Sequence, residues 1–240
     1  MNYKISVASL MLFFIPLSMG AQKISLGSCI TKDGGQYKGE MVSGKPQGKG
    51  ATVFPNGDTY EGNYLKGKRE GYGVYTFADG EKYEGQWMQD QQHGKGTFYF
   101  LNNNKYVGLW FRDYQHGHGV MYYYNGDRYD GDWYKDKRQG RGTYTYAGGA
   151  YYRGQWMNDM KNGTGFFNWG DGTTYEGSWV DNQRSGKGTF KYADGDVYVG
   201  DWKDDIQHGK GIYKFHNGDT YEGDYVQGER TGEGIFRSAN

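Results

Sequence analysis

A tyrosine returns every 23 residues along this chain, nine times without insertion or deletion: Tyr37, Tyr60, Tyr83, Tyr106, Tyr129, Tyr152, Tyr175, Tyr198 and Tyr221. Two positions after each stands a glycine, from Gly39 to Gly223. Two further on stands a large side chain: Met41, Tyr64, Trp87, Trp110, Trp133, Trp156, Trp179, Trp202 and Tyr225. A short polar stretch then leads to a Gly-x-Gly pair, as at Gly48/Gly50, Gly71/Gly73 and Gly232/Gly234. Aromatic-rich columns follow, such as Tyr75 and Phe77 or Phe98 and Phe100, and a turn such as Asn56-Gly57 or Asp79-Gly80 usually closes the unit. So strict a period excludes an ordinary globular core. It demands one supersecondary unit stacked repeatedly on its own neighbours.

Within a unit the spacing is that of strands. Tyr60, Gly62 and Tyr64 alternate with Thr59, Glu61 and Asn63; Gly71, Gly73, Tyr75 and Phe77 alternate with Tyr72, Val74 and Thr76. Side chains alternate faces along a strand, so each signature residue falls on one face. Each unit is expected to be a β-hairpin with a loop of about six residues, joined antiparallel to the next hairpin through a tight glycine turn. The fold class is all-β: an elongated, twisted, single-layer antiparallel sheet of tandem hairpin repeats. About 18 strands spaced ~4.8 Å apart give a strip roughly 85 Å long.

Composition explains how one layer can hold together. Glycine supplies 43 of 240 residues and aromatic residues 18%, whereas prolines number only 3. Disordered glycine-rich chains are poor in aromatics. Here an aromatic ring is expected to lie over a strand residue that has no side chain, offsetting the weakness glycine brings to a strand. On the other face, acids on the first strands (Glu61, Glu84, Asp130, Asp132, Glu176, Asp201, Glu222) oppose bases on the second (Lys49, Lys95, Arg141, Lys187, Lys210). Cross-strand pairs within each hairpin are expected from this. The 28 basic and 28 acidic residues cancel, so no global field draws in nucleic acid.

The organisation along the chain follows. Residues 1–20 read as a secretory signal: Lys4 is their one charge, Ile5 to Met19 are largely apolar, and Ser18-Met19-Gly20 offers small residues around a cleavage point. Export to a periplasm, cell surface or secreted location is therefore expected. Residues 21–34 form a capping half-repeat, because Gly27 and Gly34 fall 23 residues before Gly50 and Gly57. Ile24 to Thr31 is expected to supply one starting strand. Residues 35–240 hold the nine repeats. The single Cys29 excludes an intramolecular disulfide framework.

The pattern Asp58-Thr59-Tyr60-Glu61-Gly62-Asn63-Tyr64 with Gly71-Tyr72-Gly73 resembles the MORN repeat (membrane occupation and recognition nexus) over about residues 35–237. The resemblance implies a scaffold acting in protein association or oligomerisation, and in some members an association with membranes or phospholipid headgroups. Similar arrays occur in plant-type phosphatidylinositol phosphate kinases, but the repeats leave no residues here for a kinase domain.

No catalytic set stands out. Gly-x-Gly recurs within strands with no helix after it, so it does not signal a nucleotide loop. His116-x-His118 offers two ligands on one strand face but no third of suitable spacing. The expectation is a non-enzymatic protein with no cofactor, no metal and no catalytic residues. Its partner is expected to be a protein or a second copy of itself. Membrane lipid is an alternative, resting on Lys66, Lys68, Arg69, Lys135, Lys137 and Arg138; a surface glycan is another, resting on the aromatic rows. One departure from the repeat marks a candidate binding surface. Unit four carries Val107, Leu109, Val120 and Tyr122 where unit three carries Glu84, Gln86, Thr97 and Tyr99, and Phe111 and Tyr114 lie in its loop. An apolar cluster on a charged face is a partner-site signal. The C-terminal edge, covered only by Ser238-Ala239-Asn240, is a second candidate.

Overall fold

The computed structural model describes residues 23–239; the segment read as a signal lies outside them. Among the described residues, nineteen strands, β1 to β19 in chain order, form one sheet in which each pairs antiparallel with its chain neighbours. Strand β1 (Ser25–Ile30) pairs with β2 (Gln36–Val42), the first strand of unit one. Each unit then contributes a seven-residue and a nine-residue strand, as in β4 (Thr59–Leu65) and β5 (Lys68–Thr76).

The hairpin loop is two residues, not six. Leu65 pairs with Lys68 across Lys66-Gly67, and both turn residues have positive φ, 52° and 85°. Asp, Asn, Lys and Arg occupy these positions in other units, at Arg112-Asp113 and Asp181-Asn182 for example. This is the type I′ turn, whose twist matches that of the flanking strands. The residues expected in the loop instead extend the second strand, and a bulge absorbs the surplus. Gly62 pairs with Gly73 and Tyr64 with Arg69, so Asn63 lies opposite Glu70, Gly71 and Tyr72. The two glycines of each Gly-x-Gly therefore differ in role. Gly71 has φ 71° and makes the bulge, whereas Gly73 is a ring seat. A Cβ built on Gly73 would fall within the Tyr60 ring.

That ring lies along its own strand and over the partner strand, covering Gly62 and Gly73 together. Its hydroxyl donates to the Asn63 carbonyl at 3.1 Å, so burial leaves no phenol unsatisfied there. The Trp87 indole of the next unit donates to the Gly73 carbonyl at 3.2 Å and meets Tyr60 edge-on, with centroids 5.3 Å apart at 84°. Trp87 meets Tyr83 in the same way at 5.3 Å and 89°. Edge-to-face contact of this kind suits the aromatic quadrupoles. Repeated along the sheet, it makes a continuous aromatic spine, with Tyr83, Tyr106, Tyr129, Tyr152, Tyr175 and Tyr198 each 0% exposed. These columns are core, so they offer no exposed row for sugar rings.

Adjacent hairpins are also stitched at both ends. At the turn end, Asp90 accepts the Arg69 amide at 2.7 Å and its own amide donates to the Arg69 carbonyl at 3.1 Å. At the other end, Asp58 accepts the Tyr75 hydroxyl at 2.5 Å and the Ala78 amide at 2.8 Å. Burial acts to raise the Asp58 pKa, but these donors and Asn56 together hold it below the usual carboxylate value.

Candidate interaction face

The opposite face carries the unit-four cluster. Val107, Leu109 and Phe111 alternate along β8 (Lys105–Phe111) with the buried Tyr106 and Trp110. Tyr114, Val120 and Tyr122 lie on β9 (Tyr114–Tyr122). Register brings the two sets together: Val107 sits beside Val120, Phe111 beside Tyr114, and Lys105 beside Tyr122. Val107, Leu109, Phe111, Tyr114 and Tyr122 are 39% to 47% exposed; Val120 is half-buried between them.

Leu109 is the informative member. In five other units this position holds a side chain that accepts a backbone N–H from the bulge across the hairpin. Glu40 accepts from Lys49, Gln86 from Lys95, Asp132 from Arg141, Gln155 from Thr164 and Asp201 from Lys210, at 2.7 to 3.1 Å. A leucine accepts nothing, so unit four gives up this hydrogen bond and shows an isobutyl group to solvent. The same geometry corrects the expected charge pairing. Acid and base of one hairpin are separated by the bulge, so the acid binds the backbone N–H of the basic residue. The lysine side chain reaches instead to the next hairpin, as in Lys187–Asp201 at 2.7 Å and Lys210–Asp224 at 3.0 Å.

The charges flanking the cluster are mutually engaged. Glu84 binds Lys82 at 2.6 Å, a hydrogen bond that raises the lysine pKa, and Arg128 binds Asp130 at 2.5 Å. Rings extend the cluster beyond the expected residues. His93 meets Phe111 at 5.3 Å, Phe111 meets His116 at 5.6 Å, and His116 meets Tyr134 at 5.2 Å. Tyr72, 58% exposed, joins Val107 and Leu109 along a shallow depression of about 510 Å³. Sequence reasoning missed Tyr72, although it stands between two glycines where most units carry a charged or imidazole side chain. The expected histidine pair is divided: His116 enters the ring ladder, whereas His118 approaches Asp130 at 3.1 Å. Of the basic residues expected to face lipid, Lys66, Lys68, Lys135 and Lys137 are exposed. Arg69 and Arg138 are not free, because their guanidinium groups lie 4.4 and 4.5 Å from the Trp87 and Trp156 rings on the aromatic face.

Comparison with protein families finds the MORN repeat in nine consecutive stretches: residues 37–59, 60–82, 83–105, 106–128, 129–151, 152–174, 175–197, 198–220 and 221–240. The chain belongs to the MORN repeat family. A search of curated protein sequences finds no match. Among solved structures, the chain is similar to the TCP10 domain of Danio rerio CPAP in complex with a peptide of STIL. The two are 14% identical with a TM-score of 0.46, over 83% of this chain and 84% of that one. It is also similar to the Drosophila melanogaster SAS-4 TCP domain in complex with a proline-rich motif of Ana2. There the identity is 16% and the TM-score 0.39, over 60% and 77% of the two chains.

Proposed function

We propose that this MORN repeat protein is a non-catalytic scaffold that associates with a protein partner, a second copy included, through the unit-four face. The observation that carries the reading is Leu109: a side chain that caps the bulge in five other units is here replaced by an exposed apolar group among Val107, Val120 and Tyr72. Exposed apolar clusters on an otherwise charged sheet are favourable to bury against a partner. The apolar stretch within residues 1–20 supports a site of action outside the cytoplasm.

A photo-crosslinking residue at position 107, with light scattering of the same samples, tests the surface. We expect a crosslinked partner or dimer that is lost in Leu109→Glu while the circular dichroism spectrum is retained. Association unchanged by Leu109→Glu would remove the reading. Lipid association has support only from Lys66, Lys68, Lys135 and Lys137 at the turn end. Sedimentation with anionic vesicles, reversed by salt, would favour it.

A further inference from the structure

The aromatic face carries a second feature, on the side of the sheet away from Leu109. The residue that opens the tight pairing after each turn is Arg69, Arg138, Lys161, Arg184 or Arg230 in units two, five, six, seven and nine. Each inserts its cation into a cage of rings. Arg184 lies 4.4 Å from Trp202, 5.2 Å from Phe190 and 5.8 Å from Tyr175. An aspartate of the following turn completes the cage for three of the four arginines: Arg69–Asp90 at 3.5 Å, Arg138–Asp159 at 3.2 Å and Arg184–Asp205 at 3.0 Å.

Units three and four keep the cage and omit the cation. Gln92 and Gln115 take the arginine position, whereas Tyr83, Phe98 and Trp110, and Tyr106, Met121 and Trp133, occupy the cage positions. The turn aspartates Asp113 and Asp136 remain, accepting the Gln92 and Gln115 amides at 2.7 and 2.8 Å. Neither makes an ion pair among the described residues. Their turn neighbours Arg112 and Lys135 lie over Phe111 and Tyr134 on the other face. Gln92 and Gln115 are buried and, being shorter than arginine, line a groove of about 770 Å³ bounded by Arg69 at one end and Arg138 at the other. Its floor is aromatic and its rim is acidic.

We infer that this groove binds an extended basic segment of another protein, seating two cationic side chains over units three and four as the array seats its own arginines. The spacing is set by the repeat. One unit is two strands wide, roughly 10 Å, and an extended chain of polyproline-II type covers about 9 Å in three residues at ~3.1 Å each, with residue i+3 back on the same side as residue i. The segment therefore carries Lys or Arg at positions i and i+3. Desolvated cation–π contact and the unneutralised carboxylates favour such a ligand.

The test uses fluorescent peptides with an Arg-Ser-Ser-Arg core, an Arg-Arg-Ser-Ser isomer and a Gln-Ser-Ser-Gln control, titrated into the protein and followed by anisotropy. We expect the i,i+3 peptide to bind at least about tenfold tighter than the control, to outcompete its isomer, and to weaken with salt. Gln92→Arg with Gln115→Arg fills the groove as units two and five do, and should abolish binding. Asp113→Asn with Asp136→Asn should reduce it roughly tenfold; Asn182 already serves natively in this turn, accepting the Lys161 amide. Leu109→Gln, on the opposite face, should leave it unchanged, which separates this site from the association surface. Equal binding of the two isomers, or binding retained in a folded Gln92→Arg/Gln115→Arg protein, would overturn the inference.

Discussion

At the residue scale, the tyrosine that opens each unit does three jobs at once. Tyr129 fills the layer above Gly131 and Gly142, meets Trp133 and Trp156 edge-on, and donates to the Asp132 carbonyl at 3.1 Å. These contributions are separable. Tyr129→Phe removes only the hydrogen bond and should destabilise by about 1 kcal/mol. Tyr129→Ala also removes the ring from a 0% exposed site and should cost about 3–5 kcal/mol. Urea unfolding of the two variants checks both, and equal losses would show the hydroxyl to be the dominant group. Leu109 is the reverse case, a residue that gives up local stability. Leu109→Gln places an acceptor where Gln86 reaches the Lys95 amide at 3.0 Å, and should stabilise by about 0.5–1.5 kcal/mol while weakening association. A variant both more stable and less able to associate would mark the leucine as kept for binding.

At the element scale, the hairpin is closed by a turn whose two residues both need positive φ, and asparagine, aspartate and glycine tolerate this best. Arg112 and Lys135 occupy the first turn position at φ 52° and 48°. Replacing Arg112 with Gly should relieve this strain and stabilise the hairpin by up to about 1 kcal/mol, measured by thermal unfolding; a loss would show that the contact of Arg112 with Phe111 outweighs it. Between elements, the aspartate clamps respond to acid. Asp196 accepts the Tyr213 hydroxyl at 2.7 Å and the His216 amide at 2.8 Å, and these donors hold its carboxyl below the usual value. A carboxylate with a depressed folded pKa contributes stability above its unfolded pKa and loses it as pH falls through the folded one. The melting temperature should therefore drop below about pH 4, and less so in Asp196→Asn than in the parent.

At the scale of the whole molecule, the aromatic spine sets the alkaline limit. Burial pushes the Tyr37 and Tyr175 phenols up to about 12, and it raises those of Tyr83, Tyr106 and Tyr152 in the same direction. The folded chain holds these phenols neutral while the unfolded chain ionises them near their ordinary value of about 10. Stability is thus complete below about pH 10 and is lost as the pH rises towards 12. We expect a cooperative loss of β-sheet circular dichroism in that interval, coincident with the final rise in phenolate absorbance. Ionisation of all 25 tyrosines while the sheet persists would show the spine to be accessible. Because each unit leans on its neighbours, stability should also grow roughly with repeat number.

The period by itself determined much of this protein. Phase-locked Tyr, Gly and Trp columns leave one face to bury, and a strict 23-residue register leaves only neighbours to bury it against. The strands, the antiparallel hairpins, the family and the location of the Leu109 cluster were legible for that reason. Three features were decided only in three dimensions. The loop became a two-residue turn because both of its residues adopt positive φ, which their identities permit but do not require. The first glycine of each pair became a bulge and not a ring seat, because nine residues must match seven across the hairpin. The charged ladder was redirected to backbone amides and to the next hairpin by that same bulge. The groove over Gln92 and Gln115 was invisible for a related reason. A glutamine in a polar column looks unremarkable until neighbouring arginines are seen folded inward over the aromatic face, where side-chain length decides whether the space between the rings is filled.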